Sequence, residues 1–311
     1  MTRAARGGAW TLYLPVACMV LFWSGNYVAA KIAVAWLSPL LVTGLRIGLA
    51  GLAIAPFYAL QQSSPRRRDA WTWREAPGLF ALGVLGVTLN QLFFVVGISR
   101  TSVAHAGMIT ALGPVCVLII AAALRMERIT GRQAAGMLMS LAGVIVLQIW
   151  REGGASRPTP LGDLIVFLGT FTFALFTAFN KRIAHLRTAL TVNTFAYVGG
   201  ALILAPLTAF QLLLVKPGAP PFVWATVAYM ALFPSVAAYL IFSWALKRLP
   251  ASHLAMFSYL QPLCAVVLAA MILHEPVEPP VLWGGCLILA GVAVTELARR
   301  SRPSAPESVA A

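Results

Sequence analysis

Along the chain, runs of about twenty apolar residues alternate with short polar or basic breaks, and ten such runs can be drawn: 11–36, 39–60, 76–98, 103–124, 131–150, 161–182, 190–212, 222–246, 251–272 and 280–298. A run of that length matches the hydrocarbon thickness of a bilayer, where a backbone without water satisfies its polar groups as helix. The pattern predicts an all-α integral membrane protein with ten transmembrane helices. Only the tails and the stretches 61–75 and 151–160 leave appreciable chain outside, so no soluble domain is expected to carry a separate activity. A cleaved signal peptide is not expected, because the first run is too long for an h-region and another span follows at once.

Composition agrees with this pattern. Of 311 residues 60% are apolar and 10% charged, and the mean hydropathy is +0.84, whereas soluble domains carry about 25% charged residues. An ordinary cytosolic enzyme is excluded. The net charge of +14 would by itself suggest nucleic acid, but its distribution has another cause. With the N-terminus inside, one face of the membrane holds Arg3, Arg6, Arg66, Arg67, Arg68, Arg74, Arg125, Arg128, Arg132, Lys181, Arg182, Arg187, Lys247, Arg248, Arg299, Arg300 and Arg302. The other face holds Arg100, Arg151, Arg157 and Lys216, while Lys31 and Arg46 lie within spans. Basic residues near span ends favour the cytoplasmic side, so both termini are expected inside an inner (plasma) membrane. The anionic leaflet is then the partner of these charges, and no nucleic acid is expected. Trp10, Trp36, Trp71, Trp73, Trp150, Trp224, Trp244 and Trp283 lie near span ends, as interfacial tryptophans do, and Trp23 alone sits mid-span. Cys18, Cys116, Cys264 and Cys286 fall within spans without a CxxC pair and read as small packing residues.

Shifting the chain by 148 residues aligns 100–144 with 248–292 without a gap. Fourteen of 45 positions are then identical, including His105/His253, Pro114/Pro262, Cys116/Cys264, Glu127/Glu275 and Gly143/Gly291. The repeat unit holds five spans, so the second copy must enter the bilayer from the opposite side. The turn 125–132 is basic while its mate 273–280 carries Glu275 and Glu278, as expected of one structural turn placed on opposite faces. The expected organisation is an inverted 5+5 repeat: 11–150, 161–298 and a basic cytoplasmic tail, 299–311. Such repeats give transporters two related conformations about a midplane site.

The run Trp23 to Lys31 (WSGNYVAAK), Arg46 after it, and above all Ala111 to Gly143 (ALGPVCVLIIAAALRMERITGRQAAGMLMSLAG) resemble the EamA repeat of the drug/metabolite transporter superfamily; Leu260 to Gly291 repeats its Pro, Glu and Gly positions. The likeness covers about 14–298, and YddG-like aromatic amino-acid exporters are the favoured comparison. It implies export of amino acids and other small metabolites, with spans 1, 3, 4, 6, 8 and 9 around a central cavity and spans 5 and 10 peripheral.

Polar groups within spans are costly and face a cavity or another helix. Trp23, Ser24, Asn26 and Tyr27 cluster in span 1, where an aromatic, an amide and a hydroxyl could stack on a solute and hydrogen-bond its head group. The plainer reading is interhelical packing. In span 3, Asn90 and Gln91 lie about 100° apart, so at most one is expected to point fully at a shared cavity, with Phe94 on the same side. Their mates are Ala238, Tyr239 and Phe242, a difference suited to an asymmetric solute between symmetric walls; simple helix–helix bonding is the alternative. Pro114 and Pro262, preceded by Gly113 and Gln261, interrupt spans 4 and 9 at matched depth and each free a carbonyl; Pro234 does likewise in span 8. Thr110, Ser258 and Tyr259 lie within a turn of these breaks.

The set expected to bind substrate is therefore Trp23, Asn26, Tyr27, Asn90, Gln91, Phe94, Thr110, Tyr239, Ser258, Tyr259 and Gln261, with Pro114, Pro234 and Pro262 as hinges. Trp23→Ala is expected to abolish efflux and leave folded yield intact. His105 and His253 read as capping or interface residues rather than proton carriers, and Glu127 and Glu275 as turn residues. Arg46 is expected to snorkel to the outer surface, the alternative being attraction of a substrate carboxylate. Lys31 and Lys181 read as interface anchors. Gly44 with Gly48, and Gly284 with Gly291, permit close helix packing within the bundle and specify no oligomer.

Every one of the nine acidic residues maps to a loop, tail or span end, whereas ion-coupled carriers place a carboxylate in the membrane. Facilitated, gradient-driven efflux is the simpler expectation. No Walker motif is present, and no cofactor or metal is expected. The reading is a non-enzymatic carrier whose partners are a small-molecule substrate and the lipid bilayer. Alternatives are other cargo, such as nucleobases, sugars or drugs, and an intramembrane enzyme, for which no constellation at a common depth is found.

Overall fold

A computed structural model describes residues 3–64, 69–101, 103–127, 129–149, 159–214, 218–273 and 279–300, and among these residues every regular element is helical. The first half forms α1 (Arg3–Val34), α2 (Pro39–Ser63), α3 (Ala76–Ile98), α4 (Val103–Thr110), α5 (Gly113–Ala123) and α6 (Gly131–Ile149). The second forms α7 (Pro160–Ile183), α8 (Ala189–Leu213), α9 (Pro221–Leu246), α10 (Ala251–Met256), α11 (Leu260–Leu273) and α12 (Pro279–Arg300). Seven stretches are long and apolar enough to cross a bilayer: α1 from Thr11, α2, α3, Ala106–Ala123 across α4 and α5, α7, α8 and α9. Shorter apolar helices lie within α6 (Gly131–Val146) and α12 (Leu282–Thr295). The expected span 251–272 is divided, because Phe257–Tyr259 forms a 3-10 turn between α10 and α11. Helix α1 begins at Arg3, and its membrane-length stretch begins at Thr11, the start expected for the first span.

Helix starts follow local chemistry. The Ser38 hydroxyl accepts from the Leu41 N–H at 3.2 Å, and Thr159 and Thr188 accept from Gly162 and Thr191, each at 3.1 Å. Pro39 and Pro160 follow two of these caps, where a missing N–H costs nothing. Both α3 and α9 contain a π-helical stretch, Val84–Leu89 and Ala231–Ala237, placed almost one repeat length apart. Within the second, Pro234 cannot donate to the Met230 carbonyl. The Ser235 hydroxyl donates to it instead, at 2.8 Å.

Packing exchanges the two halves. Helix α1 packs on α9 and α11, while α7 packs on α3 and α5; α2 packs on α9, and α8 on α3. The largest contacts join counterparts, α2 with α8 and α6 with α12. Helices α2 and α8 run antiparallel, since the start of each is tied to the end of the other: Ser38 donates to Gln211 at 2.7 Å, and Gln61 donates to Thr188 at 3.2 Å. Helices α6 and α12 also run antiparallel, backbone against backbone. A Cβ at Gly143 would lie 2.7 Å from the Gly284 carbonyl oxygen, and one at Gly291 would lie 2.6 Å from the Ser140 nitrogen. Gly44 meets Thr208, but Gly48 faces open space, so it does not serve a close helix approach.

Polar ties close the helix ends. Arg187 bridges Asp69 at 3.2 Å and also Glu75, and the Thr188 N–H donates to Asp69 at 2.8 Å. The Thr72 N–H, with Arg187 second, holds the Glu75 carboxyl below its ordinary range. Glu127 accepts from the Ala251 N–H at 2.6 Å and from Ser252, capping α10. Lys181, read from the sequence as an interface anchor, instead donates to the carbonyls of Leu246 (2.5 Å) and Leu249 (2.8 Å) and closes the end of α9. His253 is buried against the Phe257 ring. The His105 side chain and Glu275 lie outside the described residues.

Candidate functional site

Helices from both halves enclose a cavity of about 130 Å³ at the level of the helix breaks. Its wall includes the turn at Ala111, Gly113 and Pro114 where α4 gives way to α5, and Ser258, Gln261 and Pro262 where α10 gives way to α11. Proline removes one backbone hydrogen bond at each break, which ends the preceding helix and lets the chain turn beside the cavity.

Ten of the residues expected to bind substrate share this wall: Trp23, Asn26, Tyr27, Asn90, Gln91, Phe94, Thr110, Tyr239, Ser258 and Gln261. Tyr259 does not; its side chain is fully buried among Ala111, Leu118, Met137 and Ile288, on the side of α6 and α12. Of the three prolines, Pro114 and Pro262 line the cavity. Pro234 sits buried in the π-helical stretch of α9, one contact back from it, where its carbonyl accepts the Trp23 indole N–H at 3.0 Å. The indole ring meets Phe173, Tyr239 and Phe242 with centroids 5.6–5.8 Å apart. One turn further along the same face of α1 is Tyr27, whose hydroxyl is 3.0 Å from the Thr110 hydroxyl and whose ring stands edge-on to Phe94 at 5.4 Å.

Asn90 and Gln91 both border the cavity, although regular helix spacing allowed only one to face it fully. Asn90 donates to the Gly169 carbonyl at 2.9 Å and lies 3.2 Å from the Tyr239 hydroxyl. Gln91 donates to the Tyr197 hydroxyl at 3.2 Å. The wall is thus wider than one face of α3, which spans the gap between α7 and α8. Among the described residues of the wall, the buried side-chain oxygens of Asn26 and Gln91 have no hydrogen-bond partner.

Sequence reasoning misplaced Arg46. The side chain does not snorkel: it is 3% exposed, borders the cavity, and donates through Nε to the Ser235 hydroxyl at 2.7 Å. Thr170 and Phe173, also in the wall, were missed. Phe173 had a signal, since aligning the halves on Lys31 and Lys181 sets Phe173 at the place of Trp23. Among the described residues no acidic side chain lines the cavity. Among the described residues no group of His, Cys, Asp and Glu is arranged to hold a metal ion.

A model of the EamA-like transporter family matches residues 10–149 and again 160–297. An uncharacterized transporter of Archaeoglobus fulgidus is 25% identical over 90% of this chain and 96% of its own length. The aromatic amino acid exporter YddG of Ancylobacter novellus is 26% identical over 90% and 96%. A probable terminal-alkyne amino-acid exporter of Streptantibioticus cattleyicolor is 28% identical over 96% and 97%. A solved crystal structure superposes with a TM-score of 0.74 at 24% identity, covering 94% of this chain and 99% of that one, a likeness of fold.

Proposed function

The chain belongs to the EamA-like transporter family, and from that premise we propose that it exports small metabolites, most of all amino acids with aromatic ones among them, by facilitated alternating access. It is a multi-pass membrane transporter, and the two amino-acid exporters among its relatives support this choice of cargo. The observation that carries the reading is the cavity itself. It sits at two matched helix breaks, is walled by Trp23, Tyr27, Phe94, Phe173 and Tyr239, and carries the amides of Asn26 and Gln91, whose buried oxygens have no hydrogen-bond partner. Rings present π faces to an aromatic side chain, and amide oxygens accept from an ammonium.

The frame is read as ten spans in an inverted 5+5 repeat, 11–150 and 161–298, with both termini and the basic tail 299–311 on the cytoplasmic side of the inner membrane. Antiparallel packing of counterparts, α2 on α8 and α6 on α12, supports the inversion. So does the exchange of neighbours between halves. In such a frame each half takes up in turn the conformation of the other, opening the cavity first to one face and then to the opposite one. At about 130 Å³ the cavity resembles in size an engineered cavity of about 150 Å³ that admits one benzene. A ring with its head group needs more room, so loading parts the helices. The breaks at Pro114 and Pro262 are where α5 and α11 can swing without disturbing the α6–α12 contact. With no carboxylate among the described residues of the wall to take a coupling ion, the solute gradient drives transport in this reading.

Proteoliposome efflux of labelled amino acids, with and without an imposed pH gradient, tests cargo and coupling together. Flux of aromatic amino acids that is indifferent to the pH gradient is expected; no amino-acid flux refutes the cargo, and pH-driven accumulation refutes the mechanism. Tags fused after Arg128 and after Glu278 should report opposite faces of the membrane, and the same face for both refutes the inversion.

A further inference from the structure

Among the described residues, Arg46 is the single charged side chain in the cavity wall, and none near it is a counter-ion. It is 3% exposed, and no carboxylate lies within ion-pair distance of it among the described residues. Its ionisable neighbours are the hydroxyls of Tyr197, Tyr239 and Tyr229, which are neutral groups. Only Nε makes a hydrogen bond, to Ser235, whose own proton goes to the Met230 carbonyl. That chain anchors the guanidinium from behind, on the π-helical stretch of α9, and leaves both Nη groups without a bond to any described residue. A guanidinium presents its donors as a planar fork that matches a carboxylate with two parallel hydrogen bonds.

We propose that Arg46 is the carboxylate anchor of this cavity, so that the solute carries a free carboxylate beside an apolar or aromatic body. The proposal rests on the reading of the cavity as a solute site and adds the chemical group that the site requires. A purely structural arginine is a poor alternative, because a buried cation that serves only packing needs a paired anion to offset its desolvation. The frame itself closes without one. Counting from the helix caps Ser38 and Thr188, the place of Arg46 in α8 is held by Ala196, which is fully buried. The cation therefore answers a need of one side of the cavity. Gln91 of α3, bonded to Tyr197 of α8, shares the cavity wall with Arg46.

The test uses the full chain purified in detergent and a ligand series that changes one group at a time: L-phenylalanine, hydrocinnamate, phenethylamine and phenylalaninamide. Thermal unfolding with each ligand should show stabilisation by the two carboxylates and none by the amine or the amide. Arg46→Gln should raise the half-saturating concentration of both carboxylates by about tenfold or more, as the loss of a charge-assisted hydrogen bond requires. Arg46→Lys, which keeps the charge and loses the fork, should fall between. The wild-type series stands without any variant, so a misfolded Arg46→Gln leaves the test intact. Equal stabilisation by phenethylamine, no stabilisation by any carboxylate, or undiminished carboxylate binding in a folded Arg46→Gln protein overturns the proposal. Hydrocinnamate binding without amino-acid flux in proteoliposomes removes the amino-acid cargo and keeps the anchor; amino-acid flux undiminished in Arg46→Gln keeps the carrier and removes the anchor.

Discussion

Trp23 joins the packing of the bundle to the wall of the cavity, and two substitutions separate these roles. The side chain is 9% exposed, with its ring among Phe173, Tyr239 and Phe242 and its N–H on the Pro234 carbonyl. Truncation to Ala empties a ring-sized volume inside the cluster, which costs about 3–5 kcal/mol. Set against a total stability of about 5–15 kcal/mol, that is enough to lower folded yield. The sequence alone suggested otherwise, because a residue that only lines a cavity can be truncated freely. Trp23→Phe keeps the aromatic contacts and loses one hydrogen bond, worth about 1 kcal/mol. Monodisperse yield and thermal unfolding in detergent should therefore fall sharply for Trp23→Ala and slightly for Trp23→Phe. In proteoliposomes containing equal folded protein, Trp23→Phe should keep part of the aromatic amino-acid flux. A Trp23→Ala protein that melts and transports like the parent would refute both roles at once.

Three further perturbations follow from particular contacts. Gly291→Ala should destabilise by about 1–3 kcal/mol, because its Cβ would press on the backbone of α6 at Ser140; Gly48→Ala, with open space around it, should be neutral or stabilising by about 0.5–1 kcal/mol, and equal melting shifts would contradict the packing. The Glu75 carboxyl, held below its ordinary range by the Thr72 N–H and Arg187, binds its proton more weakly folded than unfolded. Its contribution is therefore present above the unfolded value of about 4.3 and is lost as pH falls through the lower folded value, so Glu75→Gln should flatten the acid limb of a melting-temperature profile. Pro114→Ala should restore the helical hydrogen bond that proline forbids and lower flux without lowering the melting temperature; unchanged flux would remove the α4–α5 break from the transport cycle.

Features that depend on one helix and its neighbours in sequence could be read directly. Apolar runs of membrane length give the helices, and Pro114 and Pro262 mark the breaks, since each is a property of the local backbone. Arg46 could not be settled this way. An arginine a few residues inside a span is long enough to reach the surface, and only the side chains of α8 and α9 gathered around it decide that it stays inside. Asn90 and Gln91 both border the cavity for a related reason: a rule about one helix face assumes a single neighbour, whereas α3 touches α7 through Gly169 and α8 through Tyr197. Phe173 was hidden by register. The later spans align at 148 residues, but Lys31 and Lys181, like the caps Ser38 and Thr188, stand 150 apart, so a single ungapped shift does not bring Trp23 and Phe173 together.

That pairing also shows how a symmetric frame acquires a polar end. The breaks, the prolines and the large ring at the centre occur in both halves, as Pro114 with Pro262 and Trp23 with Phe173. The groups able to hold a head group do not: Arg46 corresponds to Ala196, Asn26 to Phe176, and Asn90 to Ala238. If both halves carried the cation, a solute with one carboxylate could lie in either of two opposed directions, and a second buried charge would need its own counter-ion. One cation with apolar counterparts allows one direction only. Under the proposed alternating access with Arg46 as anchor, the two halves would exchange conformations around a solute that keeps its orientation, its charged group on the Arg46 side.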